Sequence, residues 1–309
     1  MKVISGNSNP DLALAIVEYL GISLTDATIS RFSDMEIRAE INENIRGKDV
    51  FVIQSICTPA NEYIMELLII IDALVRASAK RITAVIPYYG YARQDRKTES
   101  RAPITAKLVA NLITAAGANR VLTMDLHAGQ IQGFFDIPVD HLYASTVLLD
   151  YLKRNFSGHL VIVSPDAGGA DRARAYAKRL NADLAVVDKR REEPGRSEIL
   201  NIIGEVSGKT AIIIDDMVDT AGTICNAAQV IAEKGAQAVY ACCSHAVLSG
   251  PAVQRISRSA IERLIVTDSI PLSESAKTLG KITVVSVAEL LAKAIHSVHN
   301  SESLKPLFV

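Results

Sequence analysis

The sequence predicts an α/β fold of two domains, each a mainly parallel sheet flanked by helices. Three observations predict it. Short β-branched runs alternate with segments of helical pattern along the chain, as parallel strands joined by crossover helices require. The 309 residues suit about two ordinary domains. Two apolar runs, 121–124 and 211–214, each end on an acid, Asp125 and Asp215, which hints at a repeated plan.

Taken in order, the first block has strands at 2–5, 27–30, 50–54, 81–86 and 120–124, with helices at 10–20, 61–78 and 104–116 between them. The greasiest stretch, 65–75, is interrupted by Glu66 and Asp72. It falls well short of the roughly 20 apolar residues a spanning helix needs and reads as a mostly buried helix. Turn residues and Pro138 within 124–141 separate the blocks, so the expected domains are 1–144 and 145–309. The second block has strands at 160–164, 183–187, 210–214, 238–243, 263–266 and 282–286, with helices at 170–180 and 223–234. An amphipathic helix at 288–299 ends the pattern.

Composition excludes some functions. With 33 basic and 34 acidic residues, net charge −1, nothing favours a nucleic-acid binder or an anionic-membrane binder. A local basic site for a phosphorylated metabolite stays open. Residues 1–9 lack the apolar core of a signal peptide, so a cytoplasmic protein is expected. Cys57, Cys225, Cys242 and Cys243 form no C-x-x-C pair and read as buried thiols, not as a metal site or disulfide framework.

Chemistry concentrates where strands end. Asp215 and Asp216 close an apolar strand; Asp219, Thr220, Ala221, Gly222 and Thr223 then form a small-residue loop opening a helix. Ligands of α/β sheets bind beyond the carboxyl ends of strands, and loop amides at a helix N-terminus attract anions. Thr220 and Thr223 add hydroxyls, and Gly222 allows close backbone approach. Residues 219–223 read equally well as a helix-capping turn; two acids ending a buried strand are harder to explain that way. His127 follows another strand and is either a cation ligand or a hydrogen-bonded structural histidine. Asp166, in Ser164-Pro165-Asp166-Ala167-Gly168-Gly169, offers magnesium a hard oxygen or caps a helix. Residues 87–97 mix Tyr88, Tyr89 and Tyr91 with Arg93, Gln94 and Arg96, which suits a base and a triphosphate. Phe32, Asp34, Met35 and Glu36, and the basic run Lys189-Arg190-Arg191, are weak signals by themselves.

Together these strings resemble the ribose-phosphate diphosphokinase family. Residues 215–223 are similar to the phosphoribosyl pyrophosphate motif that this family shares with type I phosphoribosyltransferases. The string from Asp125 through Phe135 looks like a diphosphokinase hallmark that ordinary phosphoribosyltransferases lack. The likeness runs from Asn7 to the C-terminus in the family's motif order. It implies two similar domains of the type I phosphoribosyltransferase kind. Asp215 and Asp216 would hold ribose hydroxyls, and Asp219–Thr223 with Arg191 the 5-phosphate. Arg93, Gln94 and His127 would bind ATP, together with Phe32, Asp34, Met35 and Glu36 reaching across a dimer. Magnesium would be held at His127 and Asp166, and Lys189 and Arg191 would be catalytic cations starting a mobile loop at 189–197.

The reaction so implied is attack of the C1 hydroxyl of ribose 5-phosphate on the β-phosphorus of ATP, with AMP leaving. Dimers assembled into a hexamer, phosphate activation and ADP inhibition are further expectations. Two departures stand out: Met35 occupies the glycine position of the family's Phe-x-Asp-Gly-Glu, and Glu192 and Glu193 follow the catalytic cations. The rival readings are an ordinary phosphoribosyltransferase and a catalytically silent regulatory homologue.

Overall fold

The structure, a computed structural model, describes residues 1–190 and 199–308. Arg191 and the rest of the expected catalytic loop to residue 197 lie outside the described residues. The chain divides into two compact units: Met1–Ala144 with Ser269–Pro271 and Ser286–Val309, and Ser145–Asp268 with Leu272–Val285.

The first unit begins with β1 (Lys2–Ser5), α1 (Pro10–Leu20), β2 (Ala27–Arg31), β3 (Ile37–Ile41) and β4 (Asp49–Ile53). It continues with α2 (Ala60–Arg76), β5 (Arg81–Ile86), α3 (Thr105–Ala116), β6 (Arg120–Met124) and β7 (Val139–Leu142). Strands β1, β4, β5, β6 and β7 lie side by side in that order, all parallel. β4, β5 and β6 are buried at every position after the first, which is why they read as unbroken apolar runs instead of alternating ones. β2 and β3 form a separate antiparallel hairpin.

Local chemistry sets the helix ends. The Asn9 side chain accepts from the Leu12 N–H, Pro10 begins α1, and Gly21 ends it in the left-handed region at φ 66°. On α2, Ile64, Leu67, Ile70, Ile71 and Leu74 face the core, each contributing about 1.5–3 kcal/mol by burial.

In the second unit come α4 (Ser145–Asn155), β8 (Leu160–Ser164), α5 (Ala170–Leu180), β9 (Asp183–Arg190) and β10 (Ile199–Ile203). β11 (Thr210–Val218), α6 (Gly222–Glu233), β12 (Ala238–Ala246), α7 (Ala252–Arg258), β13 (Arg263–Thr267), α8 (Glu274–Lys277) and β14 (Ile282–Val285) follow. The sheet order is β10-β9-β8-β11-β12-β13-β14, parallel except for β10 against β9. From β8 the chain crosses to β9 on one side, while β11 lies on the other. The carboxyl ends of β8 and β11 therefore flank a topological switch point, where α/β sheets open a ligand crevice.

Some elements depart from the sequence expectation. Residues 124–141 contain β7, which pairs with β6; four residues are too short for periodicity to declare a strand. β3, β10, α4, α7 and α8 are additional as well. β9 extends through Lys189 and Arg190, where a loop start was expected, because β10 supplies it a pairing partner. β11 runs past the acids to Val218 because β12 pairs with it that far.

The C-terminal helix α9 (Ala288–Asn300) belongs to the first unit, not to the block that precedes it, and packs on α1. His299 Nδ1 lies 2.7 Å from Asp49 Oδ2, and Arg81 bonds both Asp49 and the Val298 carbonyl. Burial works to raise the Asp49 carboxyl, but its bonds to Arg81 and His299 outweigh this and hold it below the usual range.

Candidate active site

At the end of β11 the two acids occupy an asymmetric setting. Pairing with β8 stops at Ile213↔Val163, whereas pairing with β12 continues through Val218↔Ala246. Asp215 and Asp216 thus stand where one edge of β11 has come free beside the switch point. Arg172 of α5 places Nη1 3.4 Å from a carboxylate oxygen of each acid. A cation in the first turn of a helix opposes the helix dipole; here the two carboxylates offset it. Sequence reasoning passed over Arg172, and that misplaced charge was the signal available.

Burial pushes the Asp215 carboxyl up to about 8, reinforced by the bond to and charge of Asp216, while the Asp216 N–H and Arg172 pull the other way. The unfolded group ionises near 3.8. A raised folded value means stability present at low pH and lost as pH rises from about 4 to about 8. Asp215→Asn removes that loss. The variant should match the parent in thermal unfolding near pH 4 and exceed it by on the order of 2 kcal/mol at pH 9. Parallel unfolding curves across that range would show the group to be an ordinary carboxylate. The same variant should weaken ribose 5-phosphate binding by about 1–3 kcal/mol, a trade of stability for function.

Beyond the acids, Asp219 and Thr220 lead to Ala221, held in the left-handed region at φ 61°, and Gly222 begins α6. The loop amides thus enter a helix N-terminus, the arrangement expected of an anion cradle. Across the crevice Asp166 follows β8. Its Oδ1 accepts the Gly169 N–H at 3.0 Å, and Ser164 donates to its carbonyl at 2.6 Å. One carboxylate oxygen therefore orders the turn before α5, and its other accepts no hydrogen bond from the described residues.

In the first unit, the segment after β5 is built on buried tyrosines. Tyr88 and Tyr89 are buried, and Tyr89 donates to the Ala106 carbonyl at 2.9 Å and meets Phe135 edge-on. Tyr91 donates to Asn61. The expectation that aromatic faces here stack on a base is corrected for Tyr88 and Tyr89, which are committed to packing. They leave Arg93 and Gln94 exposed at the surface. Gln94 bonds Thr105 through its side chain and Ala106 through its carbonyl.

The segment after β6 stands beside it, because Gln130 donates to Asp95 at 2.9 Å. Asp125 adopts φ 42° and accepts the Ala144 N–H, and Leu126 N–H donates to His141 Nε2. This fastening presents His127 exposed beyond the strand end.

Phe32, Asp34, Met35 and Glu36 lie on the turn between β2 and β3. The turn closes through Phe32 N–H to the Glu36 carbonyl, Met35 N–H to the Phe32 carbonyl and Glu36 N–H to Asp34 Oδ1. Met35 has φ 74° and is 62% exposed, so a methionine holds the left-handed conformation for which the family pattern has glycine. Such a residue is strained by about 1–2 kcal/mol, partly offset on substitution by glycine's larger unfolded-state entropy. Met35→Gly should raise stability by about 0.5–1 kcal/mol in urea unfolding; a loss would mean the turn tolerates methionine without strain.

Among the described residues no group of three or more His, Cys, Asp or Glu is arranged to hold a metal. Magnesium needs no such group: it takes one or two carboxylates, keeps waters and shares substrate phosphates. Asp166, with an oxygen to spare, fits that demand. The His127 imidazole is a softer donor, better matched to transition metals, and would complete a set made mostly of phosphate oxygen. Lys189 pairs through its backbone with Leu200 in β10.

Two family models match the chain. One is the N-terminal domain of ribose phosphate pyrophosphokinase over residues 1–117, the other a phosphoribosyl synthetase-associated domain over 191–309. A ribose-phosphate pyrophosphokinase of Bordetella pertussis is 58% identical over 308 residues, covering 99% of each chain. One of Bacillus caldolyticus is 58% identical, covering 100% of this chain and 98% of its own. The crystal structure of phosphoribosylpyrophosphate synthetase from Mycobacterium smegmatis matches with TM-score 0.92 and 42% identity, over 97% of this chain and 99% of that one. The protein is therefore an α/β transferase. It belongs to the ribose-phosphate pyrophosphokinase family and is a diphosphotransferase enzyme.

Proposed function

We propose that the protein transfers the β,γ-diphosphoryl group of ATP to the C1 hydroxyl of ribose 5-phosphate, giving 5-phosphoribosyl 1-pyrophosphate and AMP. The observation that carries this reading is the end of β11: paired acids on a free strand edge, followed by a loop entering a helix N-terminus. Asp215 and Asp216 accept from the ribose hydroxyls. Asp219, Thr220, Ala221, Gly222 and Thr223 receive the 5-phosphate, with Arg191 as an added cation. Arg93 and Gln94 bind the triphosphate side of ATP with His127. Phe32, Asp34, Met35 and Glu36 meet the adenine from a neighbouring subunit. The 1–144 domain is the ATP side, and 145–309 supplies the ribose site and catalytic loop.

Phosphoryl transfers of this kind depend on positioning and on stabilising the charge that develops. Lys189, Arg191 and Arg93 supply cations toward the transferring group. Magnesium held with ATP at His127 would neutralise the triphosphate, and Asp166 would hold a second magnesium next to the ribose phosphate. The enzyme serves nucleotide biosynthesis in the cytoplasm as dimers assembled into a hexamer, activated by phosphate and inhibited by ADP, without nucleic-acid or membrane partners. No helix among the described residues is long and apolar enough to cross a membrane.

The test is incubation of the purified protein with ATP, magnesium and ribose 5-phosphate. AMP should appear in step with 5-phosphoribosyl 1-pyrophosphate. Pyrophosphate release from that product plus a free base would instead mark a phosphoribosyltransferase, and absence of either reaction a silent homologue.

A further inference from the structure

The loop of residues 219–223 is gripped from behind by the segment that follows β12. Leu248 N–H donates to the Val218 carbonyl at 2.9 Å, and Ser249 N–H donates to the Asp219 carbonyl at 3.1 Å. The Ser249 hydroxyl donates to the Asp219 carboxylate. From α7, Arg255 Nη1 donates to the Thr220 carbonyl at 2.9 Å. Three successive carbonyls are therefore drawn toward residues 248–255. In a trans peptide the C=O and the following N–H point in opposite directions. Holding these carbonyls on one side turns the N–H groups of Asp219, Thr220 and Ala221 toward the other, which is how successive amides form an anion-binding concavity.

Arg255 does more than fill a carbonyl. The same Nη1 lies 3.3 Å from where a Cβ on Gly222 would stand. The guanidinium therefore sits directly behind the residue at which the backbone is barest and α6 begins. An exposed arginine has water for its donors, so its commitment to a neutral carbonyl beside a glycine calls for a reason. Placing a fixed positive charge against the cradle, added to the N-terminal field of α6, provides one.

We propose that Arg255 and Ser249 are positioning residues for the 5-phosphate site, fixing the outer side of the loop so that its inner amides face the phosphate. The proposal rests on the reading that residues 219–223 receive the phosphate of ribose 5-phosphate. Neither residue need touch the substrate; both act through the backbone of residues 219–222.

Steady-state kinetics on Arg255→Ala, Arg255→Lys and Ser249→Ala test it, with Thr223→Ala gauging the underlying reading. Loss of one such bond should raise KM for ribose 5-phosphate about tenfold in Arg255→Ala and several-fold in Ser249→Ala. KM for ATP and the unfolding temperature should stay near the parent values. Arg255→Lys should recover most of the loss, since a single donor and a positive charge remain. An unchanged KM for ribose 5-phosphate in both alanine variants, with a raised one in Thr223→Ala, overturns the positioning role and leaves the phosphate site standing. No effect in Thr223→Ala as well overturns both. Equal rises in KM for ATP and ribose 5-phosphate would mark a general folding defect and likewise overturn it.

Discussion

Replacing Glu66 by alanine should cost about 2–4 kcal/mol of stability, the loss expected when a buried hydrogen-bond network loses its acceptor and a cavity opens. Glu66 lies on α2 and is 2% exposed. Its Oε1 accepts from the Asn7 N–H at 2.7 Å and from Gln54 Nε2 at 2.8 Å, and its Oε2 accepts from Asn7 Nδ2 at 2.9 Å. Gln54, fully buried, also receives the Ser8 N–H and donates to the Tyr63 carbonyl. Gly6 leaves room for this network, since a Cβ there would come within 2.3 Å of Gln54 Oε1. Alanine leaves one donor of the buried Gln54 amide unmatched, takes the acceptor from two N–H donors of the exposed Asn7, and opens a cavity. Glu66→Gln keeps the volume and one accepting oxygen, so it should cost only about 1 kcal/mol.

Urea unfolding of both variants is the measurement, and a loss below about 1 kcal/mol for alanine would show that water replaces the carboxylate. The effect should reach function, because Asn7 Nδ2 also donates to the Ile29 carbonyl on β2 at 3.3 Å. The hairpin bearing Phe32, Asp34 and Glu36 is thereby tied to the network, so surviving Glu66→Ala enzyme should show a raised KM for ATP.

The second large effect is expected at Lys189 and Arg191. Lys189→Ala should lower kcat by on the order of 100–1,000-fold with KM nearly unchanged, as removal of a transition-state donor does. Arg191→Ala should behave alike, and the double variant should lose less than the sum, because both cations act on one group. Lys189 lies on β9, whose backbone pairs with β10 through Lys189↔Leu200 and Arg190↔Ile199. Arg190, to which the family resemblance gives no catalytic role, should give the mildest loss of the three as Arg190→Ala. Steady-state kinetics with ATP and ribose 5-phosphate decide this; a dominant effect at Arg190, or a pure KM effect at Lys189, would overturn the assignment.

Much of the site was legible because its signals are local. A buried strand ending in Asp215 and Asp216, a small-residue loop and a helix start lie within a dozen or so residues, so the arrangement was readable, while the roles came from the resemblance. Strand and helix types followed from apolar runs for the same reason. What a short window cannot show is which distant residues meet. Arg172 reaches Asp215 across 43 residues, Arg255 reaches Thr220 across 35, and Asn7 reaches Glu66 across 59. Tyr88 and Tyr89 read as ligand-facing aromatics, yet both are buried, Tyr89 against α3 and Phe135.

By itself, then, the sequence determined the α/β class, the strand-end acids, the small-residue loop that opens α6 and the resemblance to the family, since each is written in contiguous residues. Tertiary structure alone decided the switch point between β8 and β11, the membership of α9 in the first unit, the buried Glu66 network and the grip of Ser249 and Arg255 on the loop. Those depend on strand order and non-local pairing. Periodicity does not encode them, because a side chain's pattern reports how deeply it is buried and not against what.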